Sequence, residues 1–296
     1  MATPQTGIFA QGTRSHLHLE FELDPTIDHA RALEALASLR QPSVSAGGAN
    51  IVVGFGPQLW RRLAPDAAPA ELADFPAIPG VPVAQHDIWV WIHGTGDDVL
   101  FDSAREVSRL LAGTATLAEQ VSGFVYRDSR DLTGFVDGTE NPALEEAYAV
   151  ATLPTGAAGE GGSFAITQRW VHNLDAFHAL PVSEQEGVIG RTKADSVELD
   201  DDAKPPTAHI ARVVIEDDDG DELEIWRRSV PYGTVDEHGL HFVAFSADPS
   251  RFERMLRRMY GLDGDGLRDR LTDFSRPVSG AAWFVPSLEA LGAALG

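Results

Sequence analysis

The sequence predicts an α+β fold of two tandem ferredoxin-like units, each an antiparallel sheet with helices packed on it. Three observations lead there. One order of patterns, strand–helix–strand–strand–helix–strand, occurs twice along the chain. A Gly-rich stretch at residues 153–162 (LPTGAAGEGG) separates the two occurrences. The chain has 296 residues, 43% of them hydrophobic, which is enough for two domains of ordinary size.

In the first half, residues 14–23 (RSHLHLEFEL) alternate apolar and polar, the mark of a half-buried strand. Leu33, Leu36 and Leu39 fall on one helical face within residues 30–39. Residues 50–55 (NIVVGF) and 87–92 (DIWVWI) read as strands, and Leu100, Ala104, Val107 and Leu111 mark a second amphipathic helix. Residues 116–126 return as a strand. In the second half, strands are expected at 163–172, 209–215, 223–230, 240–246 and 281–285, with short helical signals between 174 and 188. Phe252, Met255, Leu256 and Met259 stand at i, i+3, i+4 and i+7 and mark a clear helix. The domains expected are therefore residues 1–152 and 163–296, with 153–162 as linker.

Composition removes several classes of function. Forty-five acidic against 23 basic residues leave a net charge of −22, a surface that repels phosphate backbones and anionic lipid, so nucleic-acid and membrane partners are not expected. There is no cysteine, which excludes disulfides, thiolate catalysis, iron–sulfur clusters and covalent haem attachment. Residues 1–13 have neither a charged n-region nor an apolar h-region, and the longest apolar runs are far too short to span a bilayer. A cytoplasmic protein is expected.

The motifs narrow the field further. The acidic run 216–224 (EDDDGDELE) cannot be an EF-hand, because with Gly220 as the turn glycine Ile215 and Trp226 would hold the first and twelfth positions. Asp219-Gly220 between apolar segments signals a hairpin. Gly190-Arg191-Thr192-Lys193 lacks phosphate-loop spacing, and no GxSxG elbow occurs. Without cysteine, a transition metal or haem would have to be held by histidine. Among the ten histidines, His16 and His18 share a strand face, and His209 follows Lys204-Pro205-Pro206 at the head of an apolar run, where it could serve as an axial ligand. Residues 126–142 (YRDSRDLTGFVDGTENP) read either as a polar turn or as a carboxylate, Asp137, on a tight backbone that can approach a ligand closely.

The string from Gly134 to Pro142 (GFVDGTENP) resembles the GxxDG signature of the dye-decolourising peroxidases, and RDLTGFVDGTENP resembles their bacterial, cytosolic B-type branch. Val53-Gly54-Phe55-Gly56, Gly190-Arg191-Thr192-Lys193, Ala208-His209-Ile210-Ala211-Arg212 and Arg227-Arg228-Ser229-Val230-Pro231-Tyr232-Gly233 resemble further family segments in the same order. The resemblance runs from about Pro4 to the C-terminus. It implies two ferredoxin-like halves and one non-covalent haem b, held mainly by the C-terminal half.

The resemblance also implies roles. His209 is the axial ligand to haem iron, and its second ring N–H needs an acceptor, for which Asp273 is expected. Asp137 moves the proton of the bound peroxide, Arg227 stabilises charge on the departing oxygen, and Ser229 holds a distal water. Arg191 and Lys193 neutralise haem propionates. Hydrogen peroxide is reduced, and a ferryl haem recovers its electrons from an aromatic, phenolic or dye-like donor. The alternative function is a haem carrier or iron-release protein using the same pocket. A homo-oligomer is implied. Some B-type members carry a tail that docks them inside an encapsulin shell, but here the chain stops soon after Phe284-Val285-Pro286-Ser287, so encapsulation is not expected.

Overall fold

The computed structural model describes residues 2–39 and 48–296. The first unit runs β1 (Ser15–Leu23), α1 (His29–Leu39), β2 (Asn50–Phe55), α2 (Pro57–Leu63), β3 (Ile88–Gly94), α3 (Asp97–Leu110) and β4 (Ala115–Phe124), followed by α4 (Leu144–Ala151). The second runs β5 (Ser163–His172), α5 (Leu174–His178), α6 (Val182–Ile189), α7 (His209–Val213), β6 (Trp226–Arg227), β7 (Val230–Gly233) and β8 (His238–Ser246). It closes with α8 (Ser250–Met259), β9 (Ser275–Pro277), β10 (Ala281–Val285) and α9 (Leu288–Leu295). No helix among the described residues is long and apolar enough to cross a membrane.

Strand order is β4-β1-β3-β2 in the first unit and β10-β5-β8-β7 in the second, all antiparallel. The same order twice is the expected pair of ferredoxin-like sheets. The sheets then join edge to edge, through Phe284 opposite Phe55 and Gly123 opposite Tyr232. Eight strands thus close a barrel, which removes the open edges two separate sheets would expose.

Closure changes what alternation means. In β1, Leu17, Leu19 and Phe21 face the helices, yet His16, His18 and Glu20 are buried as well. The polar face read as half-solvated lines the barrel interior. There Trp89 Nε1 donates to His18 Nδ1 at 3.3 Å and Trp91 Nε1 donates to His16 Nδ1 at 3.2 Å. The two indoles lie 6.2 Å apart at 4°, with Val52, Ala165, Val243, Phe245 and Trp283 around them. Burial, and second the charge of Arg228, lowers His16 to about 4, and burial lowers His241 to about 3, so these imidazoles are neutral structural groups.

The apolar run from His209 is a correction: it forms the helix α7, not a strand. Its β-branched residues favour a strand locally, but Arg212 is buried and donates to Asp265 and to the Arg258 carbonyl, which docks a helical turn on α8. The acidic run turns at Gly220 (φ +88°), with Glu216 bridged to Glu222, as a hairpin should. Segment 153–162 is a folded corner rather than a slack tether. Leu153 donates to the Gly162 carbonyl at 2.8 Å, and the Gly161 N–H returns a bond to Leu153 at 3.0 Å.

Candidate active site

The outer face of β5 and β8 and the apolar stripe of α8 enclose a cavity. Ile166, Trp170, Leu240, Phe242, Phe252 and Met255 are among its walls, and about 1100 Å³ lies free of protein out to its mouth. Its ionisable groups are few: Asp131, Asp137, His172, His209 and Arg227.

His209 is the first residue of α7, delivered by the turn in which Ala208 N–H bonds to the Pro205 carbonyl. Its Nδ1–H donates to Asp269 Oδ2 at 2.6 Å, and Asp269 is fully buried. A carboxylate can only accept, so Nδ1 carries the proton and Nε2 is left as a lone-pair donor. Asp269 is itself fixed. Its Oδ1 accepts from Leu271 N–H at 2.8 Å, capping the 3-10 turn Arg270–Asp273, and its own N–H bonds to the Met259 carbonyl. Asp273, expected as the acceptor, stands exposed at the far end of that turn. The reason is geometric: the capping residue points back toward α7, whereas the last residue of the turn faces out. An Asp two residues before the Leu of a short turn was the available signal.

Asp137 sits on the loop between β4 and α4. Gly134 takes φ +92°, where a Cβ would also stand 2.7 Å from the Lys193 side chain, and Asp137 N–H bonds to the Ser129 carbonyl at 3.0 Å. Asn141 joins this loop to β6. Its Nδ2 donates to the Arg227 carbonyl at 2.9 Å and its Oδ1 accepts from Arg227 N–H at 3.0 Å. That amide clamp, missed from sequence, places Arg227 beside Asp137. Burial raises Asp137 above the ordinary carboxylate range, opposed by the Arg227 charge and reinforced by Asp131. Burial weakens Arg227's hold on its proton and Asp137 strengthens it. The Arg227 Nε is buried without a partner.

Asp137 and Arg227 line the main cavity and also a second hollow that contains Ser229 but not His209. The pair therefore forms a partition, and Ser229, whose Oγ accepts from Val243 N–H at 3.2 Å, lies beyond it. Arg191 lines a third hollow with His209, Glu140 and Glu222, and is ion-paired with Glu140 and Glu198. Gly190 makes that position possible. It ends α6 at φ +96°, and a Cβ there would stand 2.5 Å from Ile210 Cγ1. Lys193 does not line the cavity. Its ammonium bonds to Gln185 and lies over the Phe135 and Phe177 rings at 5.4 and 5.8 Å, because its stem is packed against Gly134. Asp131 and His172 were also missed. His172 Nε2 meets Asp131 Oδ1 at 3.1 Å, and only the fold brings them together.

A largely apolar cavity with an imidazole whose Nε2 is free and a guanidinium whose buried Nε has no partner fits a large planar group ligated by His209. Fold and site together define a cofactor-binding protein with a carboxylate and a guanidinium set together in the cavity wall. Family models for the Dyp-type peroxidase N-terminal and C-terminal regions match residues 10–125 and 128–290. A dye-decolorizing peroxidase of Rhodococcus erythropolis is 41% identical over 258 residues, 84% of this chain and 75% of the relative. One from Mycobacterium tuberculosis is 39% identical, covering 82% and 74%. Among solved structures, DyPB from Rhodococcus jostii RHA1 superposes with TM-score 0.90 at 36% identity, over 98% of this chain and 97% of that one. The dye-decolorizing protein from V. cholerae gives 0.87 at 37%, over 98% and 99%. The chain belongs to the Dyp-type peroxidase family.

Proposed function

We propose that this peroxidase uses one non-covalent haem b, bound through His209 Nε2, to reduce hydrogen peroxide at the expense of an aromatic or dye-like donor. Variants of the Rhodococcus jostii relative are described in complex with heme. The observation that carries the reading is the convergence of Asp137, Arg227 and His209 on one cavity. Bound haem would supply an iron centre able to take peroxide and exchange electrons with it. The chain's own residues do the rest. Asp269 holds His209 in the tautomer that presents Nε2. Asp137 accepts the proton of the peroxide and returns it to the departing oxygen, and the raised proton affinity of its carboxyl suits that exchange. Arg227 sets a fixed positive charge beside it in a largely dry site, where such charge counts most. Arg191, in the hollow it shares with His209, would meet haem propionates by exchanging one carboxylate partner for another. Ser229 orders water in the second hollow.

A carrier that only holds haem has no use for a clamped Asp137–Arg227 pair. Peroxide-dependent oxidation of a phenol and a dye by the haem-loaded protein tests the reading. Turnover that collapses in Arg227→Ala at unchanged haem content supports it, and haem binding without turnover overturns it. The absence of cysteine also suits the reducing cytoplasm in which we place the protein.

A further inference from the structure

The barrel interior holds a second cluster with chemistry in it, none of whose residues lines the cavity. Glu20 of β1 stands directly opposite Glu119 of β4 in the antiparallel register, just before the bulge between Glu20 and Phe21. Two carboxylates in that relation repel one another. His86, two residues before β3, turns its Nε2 toward them, 3.9 Å from Glu20 Oε2. One oxygen or nitrogen from each of Glu20, His86 and Glu119 lies within 4.8 Å of the others.

We propose that Glu20, His86 and Glu119 form a binding site for a divalent transition cation, of which Zn²⁺ is the probe. Three independent features support it. Glu20 is 5% exposed, and its Oε2 is buried without a hydrogen-bond partner while pointing at His86 and Glu119. A lone buried carboxylate oxygen is costly, and a cation would satisfy it. Next, His86 Nδ1 is 3.1 Å from Glu22 Oε1. A ligating imidazole is commonly held in this way: Nδ1–H donates to a carboxylate, and Nε2 is freed for the metal. Last, the nearby positive charge is insufficient. Arg169 pairs with Glu119 at 2.8 Å, while Glu20 receives only a long 3.5 Å contact from Thr167 Oγ1.

One imidazole and two carboxylates suit zinc, with bonds of about 2.0–2.2 Å and a fourth position left for water. The ligand atoms would have to draw together by about 1 Å for such bonds, which side-chain rotation at half-buried His86 and Glu119 allows. The bound ion would tie β1, β4 and the lead into β3 together, next to the Thr167 and Arg169 side chains of β5 from the second unit.

The experiment is calorimetric titration of ZnCl₂ into the haem-loaded protein. Expected is one tight site per chain. Glu20→Gln and Glu119→Gln should each weaken that site at least tenfold without changing haem content, and Zn²⁺ should raise the Tm of the native chain but not of Glu20→Gln. If Glu20→Gln fails to fold, the half-buried Glu119→Gln decides. No saturable Zn²⁺ binding by the native protein, or tight binding unchanged in these variants, overturns the proposal and leaves Glu20 a structural residue.

Discussion

Replacing Asp269 by Asn tests the most specific feature of the site. The side chain keeps its shape, and one amide oxygen can still cap Leu271 N–H, so the 3-10 turn should survive. What is lost is the acceptor 2.6 Å from His209 Nδ1. With the amide oxygen on the cap, an NH₂ faces the ring and favours the tautomer that protonates Nε2, the form that cannot ligate a metal. Loss of such an outer partner typically costs about 10–100-fold in metal affinity or activity, or about 1.4–2.8 kcal/mol at 1.4 kcal/mol per decade. Because Asp269 is fully buried, water cannot step in, which puts the expected effect toward the upper end. Asp269→Ala should add about 1 kcal/mol of lost stability by removing the cap. The assay is the rate of haem transfer to an excess of an apo haem-binding acceptor, followed at the Soret band, with Asp273→Asn as control. Native-like haem retention in Asp269→Asn, or an equal loss in Asp273→Asn, would refute the reasoning.

Arg227→Ala should slow the reaction with peroxide by about 10²–10³ and more than Asp137→Ala does, because water can relay a proton but cannot replace a fixed charge; stopped-flow rates for both variants check the order. Asn141→Ala removes both hydrogen bonds that seat Arg227 and should lower the peroxide rate by up to about 10² at unchanged haem content. The pH profile should lose activity on the acid side as Asp137 gains its proton. Since burial raises that carboxyl, the limb should lie above the ordinary range of about 4, and Arg227→Lys, which displaces the opposing charge, should move it higher still. Added salt at pH 7 should speed oxidation of an anionic dye but hardly affect a neutral phenol, because Glu140, Glu222 and Glu224 line the hollow at His209 and their field is screened over roughly 10 Å at 0.1 M. An equal salt response from both substrates would remove surface charge as the cause.

Much of this protein is written locally. Residues 50–55, 163–172 and 281–285 form strands with the bounds their patterning predicts, and the stripe Phe252, Met255, Leu256, Met259 is a cavity wall. Asp137 between Gly134 and Gly138, and His209 behind two prolines, could be singled out because motif and backbone constraint lie within a few residues. Tertiary structure decided the rest. Periodicity shows that His16, His18 and Glu20 share a face, but only edge-to-edge closure of the two sheets makes that face interior. A β-branched run became α7 because Arg212 found its partners on and just beyond α8. Asp269 rather than Asp273 holds His209 across 60 positions of sequence, and Asn141 holds Arg227 across 86. Such pairings depend on the direction in which a turn or loop presents a side chain in three dimensions. A one-dimensional pattern records the spacing of residues along one element, while the angle at which two elements meet is set by packing between them.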